Sequence, residues 1–149
     1  MLMYSGPDKA FSGAVLAFSA AVLGIARWLH PAASGMGTHE QLGLPPCKFL
    51  VLTGLPCPSC GFTTSFAYAA HFHFQRAFFA SPFGLLLFLV AILLIPASAV
   101  LLWRRTSWLQ MFEGLDVTAI TGWTVAAYLT SWIYTITAVS ATASFLAGQ

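Results

Sequence analysis

From Phe83 to Trp103 the chain carries no ionisable side chain at all. A helix over residues 83–103, rising 1.5 Å per residue, reaches across a hydrocarbon core of about 30 Å. Ser81-Pro82 precedes the run, where proline suits a first helical turn, and Arg104-Arg105 ends it with charge fit for a membrane surface. Pro96 is a candidate kink, because an interior proline removes a backbone donor. Residues 11–29 form a second apolar run, uncharged until Arg27. This run outlasts the ~7–15-residue core of a secretion signal, so a retained span is expected, even though the small residues "PAASG" follow it. Residues 117–146 are a third run with no charge but many hydroxyls, among them Thr121, Thr124, Thr130, Ser131, Thr135, Thr137, Ser140, Thr142 and Ser144. Hydroxyls of this kind typically serve helix packing, and Trp123, Tyr128, Trp132 and Tyr134 suit membrane interfaces or partner contacts.

These runs leave little room for a water-soluble domain. Charged residues make up 7% of the chain and hydrophobic ones 58%, against about 25% charge in soluble domains. The net charge of +2 is small and scattered, which excludes nucleic acid as the main partner. The expected fold is an all-α integral membrane protein forming a single membrane domain, with three transmembrane helices at about 11–29, 83–103 and 117–146. On the first of these, Gly13, Ala17, Ala20, Ala21 and Gly24 place small side chains on one face, a surface suited to other membrane-protein subunits.

Residues 62–81 read differently, because six phenylalanines alternate there with His71, His73, Gln75 and Arg76. At 100° per residue Thr64, Tyr68, His71 and Gln75 fall on one narrow arc, so the segment is expected as one amphipathic helix with a polar stripe. A charge near the bilayer centre costs at least ~2.5 kcal/mol, which favours an interfacial or re-entrant helix over a fourth crossing. Residues 30–61, rich in glycine and proline, are expected as a long loop.

That loop holds all three cysteines, Cys47, Cys57 and Cys60, the last two in Cys57-Pro58-Ser59-Cys60-Gly61. Such a turn suits half a tetrahedral zinc or iron knuckle, since proline presets one backbone angle and glycine tolerates positive φ. The candidate ligand set is Cys47, Cys57 and Cys60 with His39, which can reach from the preceding loop. A helical 63–71 would carry His71 about 12 Å from the knuckle, too far for a shared zinc. Two alternatives use the same atoms. In one, Cys57 and Cys60 act as a redox pair, with Cys57 activated at a helix start. In the other they form a structural disulfide or rest as buried thiols in a tight turn. Attachment of c-type haem is excluded, because it needs histidine at position 61.

The residues Pro45-Pro46-Cys47, Leu52-Thr53-Gly54, Cys57-Pro58-Ser59-Cys60-Gly61-Phe62-Thr63, His71 and Ser81-Pro82-Phe83 resemble an uncharacterised bacterial membrane-protein family, domain of unknown function 2752. The resemblance covers about residues 25–105. Its pattern has arginine where Thr64 stands, Gly-Asp where Phe72-His73 stand, and asparagine where Ser81 stands. It implies a multi-pass protein of the bacterial inner membrane, with the cysteine loop outside the cytoplasm and Arg104-Arg105 inside. Charge counting sets Lys9, Arg104 and Arg105 against Arg27, Lys48 and Arg76, a tie that only the adjacency of Arg104 and Arg105 tips. The function expected from residues and resemblance together is a non-enzymatic accessory or structural subunit of a membrane assembly. Catalysis enters only through the alternative of a thiol-disulfide oxidoreductase using Cys57 and Cys60.

Overall fold

The computed structural model describes residues 6–108, 112 and 114–147, with side-chain surroundings given as far as residue 138. Ser140, Thr142 and Ser144 of the expected hydroxyl-rich face therefore lie outside the described side chains. Every regular element among the described residues is helical: α1 (Gly6–Trp28), a 3-10 helix (Thr38–Leu42), α2 (Lys48–Thr53), α3 (Phe62–Ala70), α4 (Phe74–Ala80), α5 (Pro82–Arg104) and α6 (Val117–Ala147).

Two of these, α1 and α5, are long and apolar enough to cross a membrane. In each, only 17% of the most apolar window is buried within the chain. A core helix of a soluble protein would be mostly covered by its own chain. Here Phe18, Leu93 and Trp103 stand 66–87% exposed, which suits hydrocarbon as the solvent. The residues of the third expected span lie in α6, a helix of 31 residues. Its hydroxyls dilute its apolarity, so it does not join α1 and α5 on the same measure. They are nonetheless satisfied inside the helix: Thr121, Thr124, Thr130 and Thr135 donate to the carbonyls of Val117, Ile120, Ala126 and Ser131 at 2.7–2.9 Å.

Helices α1 and α5 pair as an antiparallel hairpin. The end of α1 meets the start of α5, where Leu23 packs on the cluster containing Phe88. At the opposite end the Trp108 indole donates to Ser12 Oγ at 3.1 Å. The buried face of α1 consists of Ser12, Ser19 and Ala26, seven residues apart. The face of small residues singled out in the sequence lies elsewhere on the helix, with Ala17, Ala20, Ala21 and Gly24 exposed. A Cβ added at Gly13 or Gly24 would meet nothing within 4 Å. Both stripes are small enough for close approach, and the hydroxyl that accepts from Trp108 marks the one α5 covers.

Residues 62–81 fold as two helices rather than one. Helix α3 stops because Phe72 takes a left-handed conformation, φ 63°. The His73 amide donates to Tyr68 O at 2.9 Å and the Phe72 amide to Ala69 O at 3.0 Å. These two bonds are the Schellman pattern that ends a helix, usually with glycine at the left-handed position. Helix α4 then turns back, and Tyr68, Ala69, Ala77, Ala80 and Phe88 close a small core where α3, α4 and α5 meet. Ser81 caps α5 by accepting from the Gly84 amide at 3.1 Å, with Pro82 in the first turn. The expected loop 30–61 is also less irregular than its composition implied, since it contains the 3-10 helix and α2.

Candidate metal centre

Cys47 sits at the N-cap of α2, following two prolines that keep the chain extended. Helix α2 ends at Gly54, φ 71°, whose amide bonds Leu50 O at 2.9 Å. This short helix and its reversal bring the chain back so that Cys57 and Cys60 face Cys47. The knuckle itself is closed by the Cys60 amide donating to Cys57 O at 2.9 Å. Pro56, ahead of it, is buried and accepts from the Trp132 indole of α6 at 3.0 Å.

Gly61 fixes the knuckle to the bundle. Its φ is 91°, and a Cβ there would lie 2.5 Å from Ala80 O and 3.4 Å from Gly35 O. Glycine is therefore required twice, for the backbone angle and for the approach of α4's last carbonyl. The Ser65 amide then bonds Gly61 O at 2.7 Å and α3 begins. On the next turn Ser65 Oγ donates to Ser81 O at 3.1 Å, joining α3 to the start of α5.

The three sulfurs lie within 4.8 Å of one another. The Cys57 and Cys60 sulfurs are 3.0 Å apart and all three thiols are free. A disulfide needs about 2.05 Å. Thiolates on one tetrahedral zinc, each about 2.3 Å from the metal, stand about 3.8 Å apart. The observed set lies near that triangle, with one edge short and the longest no more than 4.8 Å, so side-chain rotation of about 1 Å closes it.

The thiols are not equivalent. Burial acts against ionisation of Cys57, but hydrogen bonds from Cys60, Ser59 and Cys47 and the Ser59 amide outweigh it, lowering Cys57 to about 7. For Cys60, burial and the hydrogen bond to Cys57 push the thiol well up. Cys57 thus ionises first and holds its charge against a protonated Cys60, whose proton a bound cation would displace.

The other expected site residues fall elsewhere. His39 lies half-buried on the 3-10 helix and is not in the sulfur group, which contains Cys47, Cys57 and Cys60. Three of the four stripe residues do share a face, and it docks α3 onto the segment leading from α1. Thr64 Oγ1 and Thr38 Oγ1 are 2.7 Å apart, Tyr68 OH donates to Ala32 O at 3.3 Å, and His71 Nε2 reaches Leu29 O at 3.1 Å. His71 Nδ1 accepts from Arg27 Nη1 at 3.0 Å, which assigns the second proton position to Nε2. Gln75 is separated from the stripe by the break at Phe72 and is exposed on α4.

Sequence reasoning missed the role of α6 in holding this region. Besides Trp132, Ser131 Oγ accepts from the Phe83 amide at 3.1 Å, in the first turn of α5. A tryptophan amid hydroxyls was the only local signal, and it did not say which backbone carbonyl it would meet.

Among the described residues the chain is all helical, with two helices both long and apolar enough to cross a membrane and a three-cysteine cluster on the segment between them. Residues 47–95 match the family described as Protein of unknown function (DUF2752), which supports the resemblance read from the cysteine motif. The match opens on Cys47, includes α2, α3 and α4 and ends inside α5, a narrower range than the 25–105 expected. No curated protein and no solved structure is significantly similar to the chain.

Proposed function

We propose that this chain is a non-enzymatic structural subunit of a bacterial inner-membrane assembly, whose three cysteines hold one thiophilic metal ion, zinc first among them. The observation that carries the metal reading is the convergence of three free sulfurs from two separate chain segments within 4.8 Å. A bound ion would clamp the start of α2 to the start of α3 and so hold segment 30–61 against the bundle. The fourth position is left for water or a partner's ligand, with His39 of the 3-10 helix as the chain's own candidate to complete it. Helix α6 serves as a third crossing, supported by its length and by hydroxyls that bond back to their own helix. The exposed small-residue face of α1 is the surface for the neighbouring subunit, since lipid gives helices no hydrophobic reason to associate without close packing. Metal analysis of the detergent-purified chain should find about one zinc per chain. Cys47→Ser should lose it as fully as Cys60→Ser. A chain that binds no metal under reducing conditions ends this reading.

The unequal thiols support a second reading, a membrane thiol-disulfide oxidoreductase. Cys57, partly exposed and ionised near pH 7, would attack a substrate disulfide, and buried Cys60 would resolve the mixed disulfide. The two electrons pass from the dithiol to the substrate, leaving Cys57 and Cys60 oxidised. Cys47 separates the readings, because a metal clamp needs it and a two-thiol exchange does not. If Cys47→Ser abolishes metal binding yet leaves thiol exchange intact, exchange is the function.

A further inference from the structure

We propose that the cleft between α4, α6 and residues 33–36 binds the headgroup of an anionic phospholipid, with Arg76 as the partner of its phosphate. The cleft encloses about 470 Å³, and its walls include Arg76, Phe79, Tyr68, Tyr134, Met36 and Ala138. No aspartate or glutamate is among its lining residues. Among the described residues the Arg76 guanidinium has neither an ion pair nor a hydrogen bond, whereas that of Arg27, the other arginine near this end of the bundle, is engaged by His71. A guanidinium facing an otherwise uncharged cleft has five donors and no acceptor of its own, which suits a phosphate oxygen pair.

The surroundings select a lipid over a free anion. Phe74, Phe78 and Phe79, on the same short helix as Arg76, are 45%, 47% and 59% exposed. Aromatic side chains displayed around a cation are the pattern of a helix lying at the headgroup boundary. The cleft walls beyond Arg76 are mostly apolar, Ala33, Met36, Phe79, Ala80 and Ala138, a lining that accepts an acyl glycerol but offers little to hydrated phosphate. The phenol of Tyr134, packed on Phe78 at 6.1 Å between ring centroids, adds a polar group to the same cleft.

The inference rests on the membrane reading of the chain and not on its metal. Native mass spectrometry of the full chain in mild detergent, offered equal phosphatidylglycerol and phosphatidylcholine, provides the test. One phosphatidylglycerol per chain should be retained about five- to tenfold over phosphatidylcholine, the scale of one basic residue acting on an anionic headgroup. Arg76→Gln should erase the preference, Arg76→Lys should keep part of it, and Arg104→Gln should leave it unchanged. If Arg76→Gln does not fold, the wild-type preference together with Arg76→Lys decides. Equal retention of the two lipids overturns the proposal, as does displacement of phosphatidylglycerol by millimolar inorganic phosphate. A chain that needs no detergent and carries no phospholipid would instead overturn the membrane reading itself.

Discussion

Replacing Gly61 with alanine tests how the cysteine knuckle is attached to the bundle. At φ 91° an L-residue is strained by roughly 1–2 kcal/mol. The new Cβ would also sit 2.5 Å from Ala80 O, a backbone atom that cannot swing aside, so α4 or the knuckle must shift. Forcing such a contact in a packed site typically costs a further 1–3 kcal/mol or so. The sum, about 2–5 kcal/mol, is a large share of the ~5–15 kcal/mol that holds a typical domain together. Gly43→Ala is the internal control: φ there is 76°, but its Cβ meets nothing within 4 Å, so only the backbone part of the cost remains. Thermal unfolding in detergent should place Gly61→Ala lower than Gly43→Ala by several degrees. Alkylation of the native state should find Cys60 newly accessible in Gly61→Ala alone. Equal transitions for the two variants, with Cys60 still protected, would refute the close approach of α4 to the knuckle.

Three further outcomes are expected. Phe72→Gly should raise stability by up to about 1 kcal/mol, since it relieves a left-handed phenylalanine that is 79% exposed and has little packing to lose; an unchanged or lower unfolding transition contradicts this. Ser98→Ala should be neutral or stabilising by about 1 kcal/mol, because Ser98 Oγ is fully buried without a hydrogen-bond partner; a loss of more than about 1 kcal/mol would show that the hydroxyl has a partner. Alkylation of the metal-free chain should modify Cys57 with a midpoint near pH 7, rising with pH as the thiolate forms, while Cys60 reacts last. Cys60→Ala should move that midpoint upward by removing a hydrogen bond that favours the thiolate; a midpoint near the ordinary cysteine value in the parent chain would remove the asymmetry.

The features legible in the sequence were those that depend on composition or on one helix's period. The uncharged run 83–103 had to become a membrane-length helix wherever its neighbours went. The arc of Thr64, Tyr68 and His71 was legible for the same reason, because side chains 100° apart per residue share a face irrespective of what they touch. What they touch was not legible. The partners Thr38, Ala32 and Leu29 lie 26–42 positions away, and the intervening loop has no period to follow. The break at Phe72 escaped local reasoning because phenylalanine gives no stop signal. The clue was the resemblance, whose pattern has glycine at that position. Helix α1 shows the converse difficulty. Two stripes of small residues compete on it, and only the contact with Trp108, 96 positions away, decides which one α5 covers. For the cysteines, Cys57 and Cys60 were placed together by spacing, whereas the return of Cys47 depends on the turn at Gly54 and on Trp132 holding Pro56.

X-ray absorption at the zinc edge of the detergent-purified chain, prepared with reducing agent, reads the sulfur cluster directly. Three sulfur scatterers at about 2.3 Å, with one lighter atom completing the shell, are expected. A zinc shell with two sulfurs or fewer would contradict the joining of Cys47, Cys57 and Cys60 in one site.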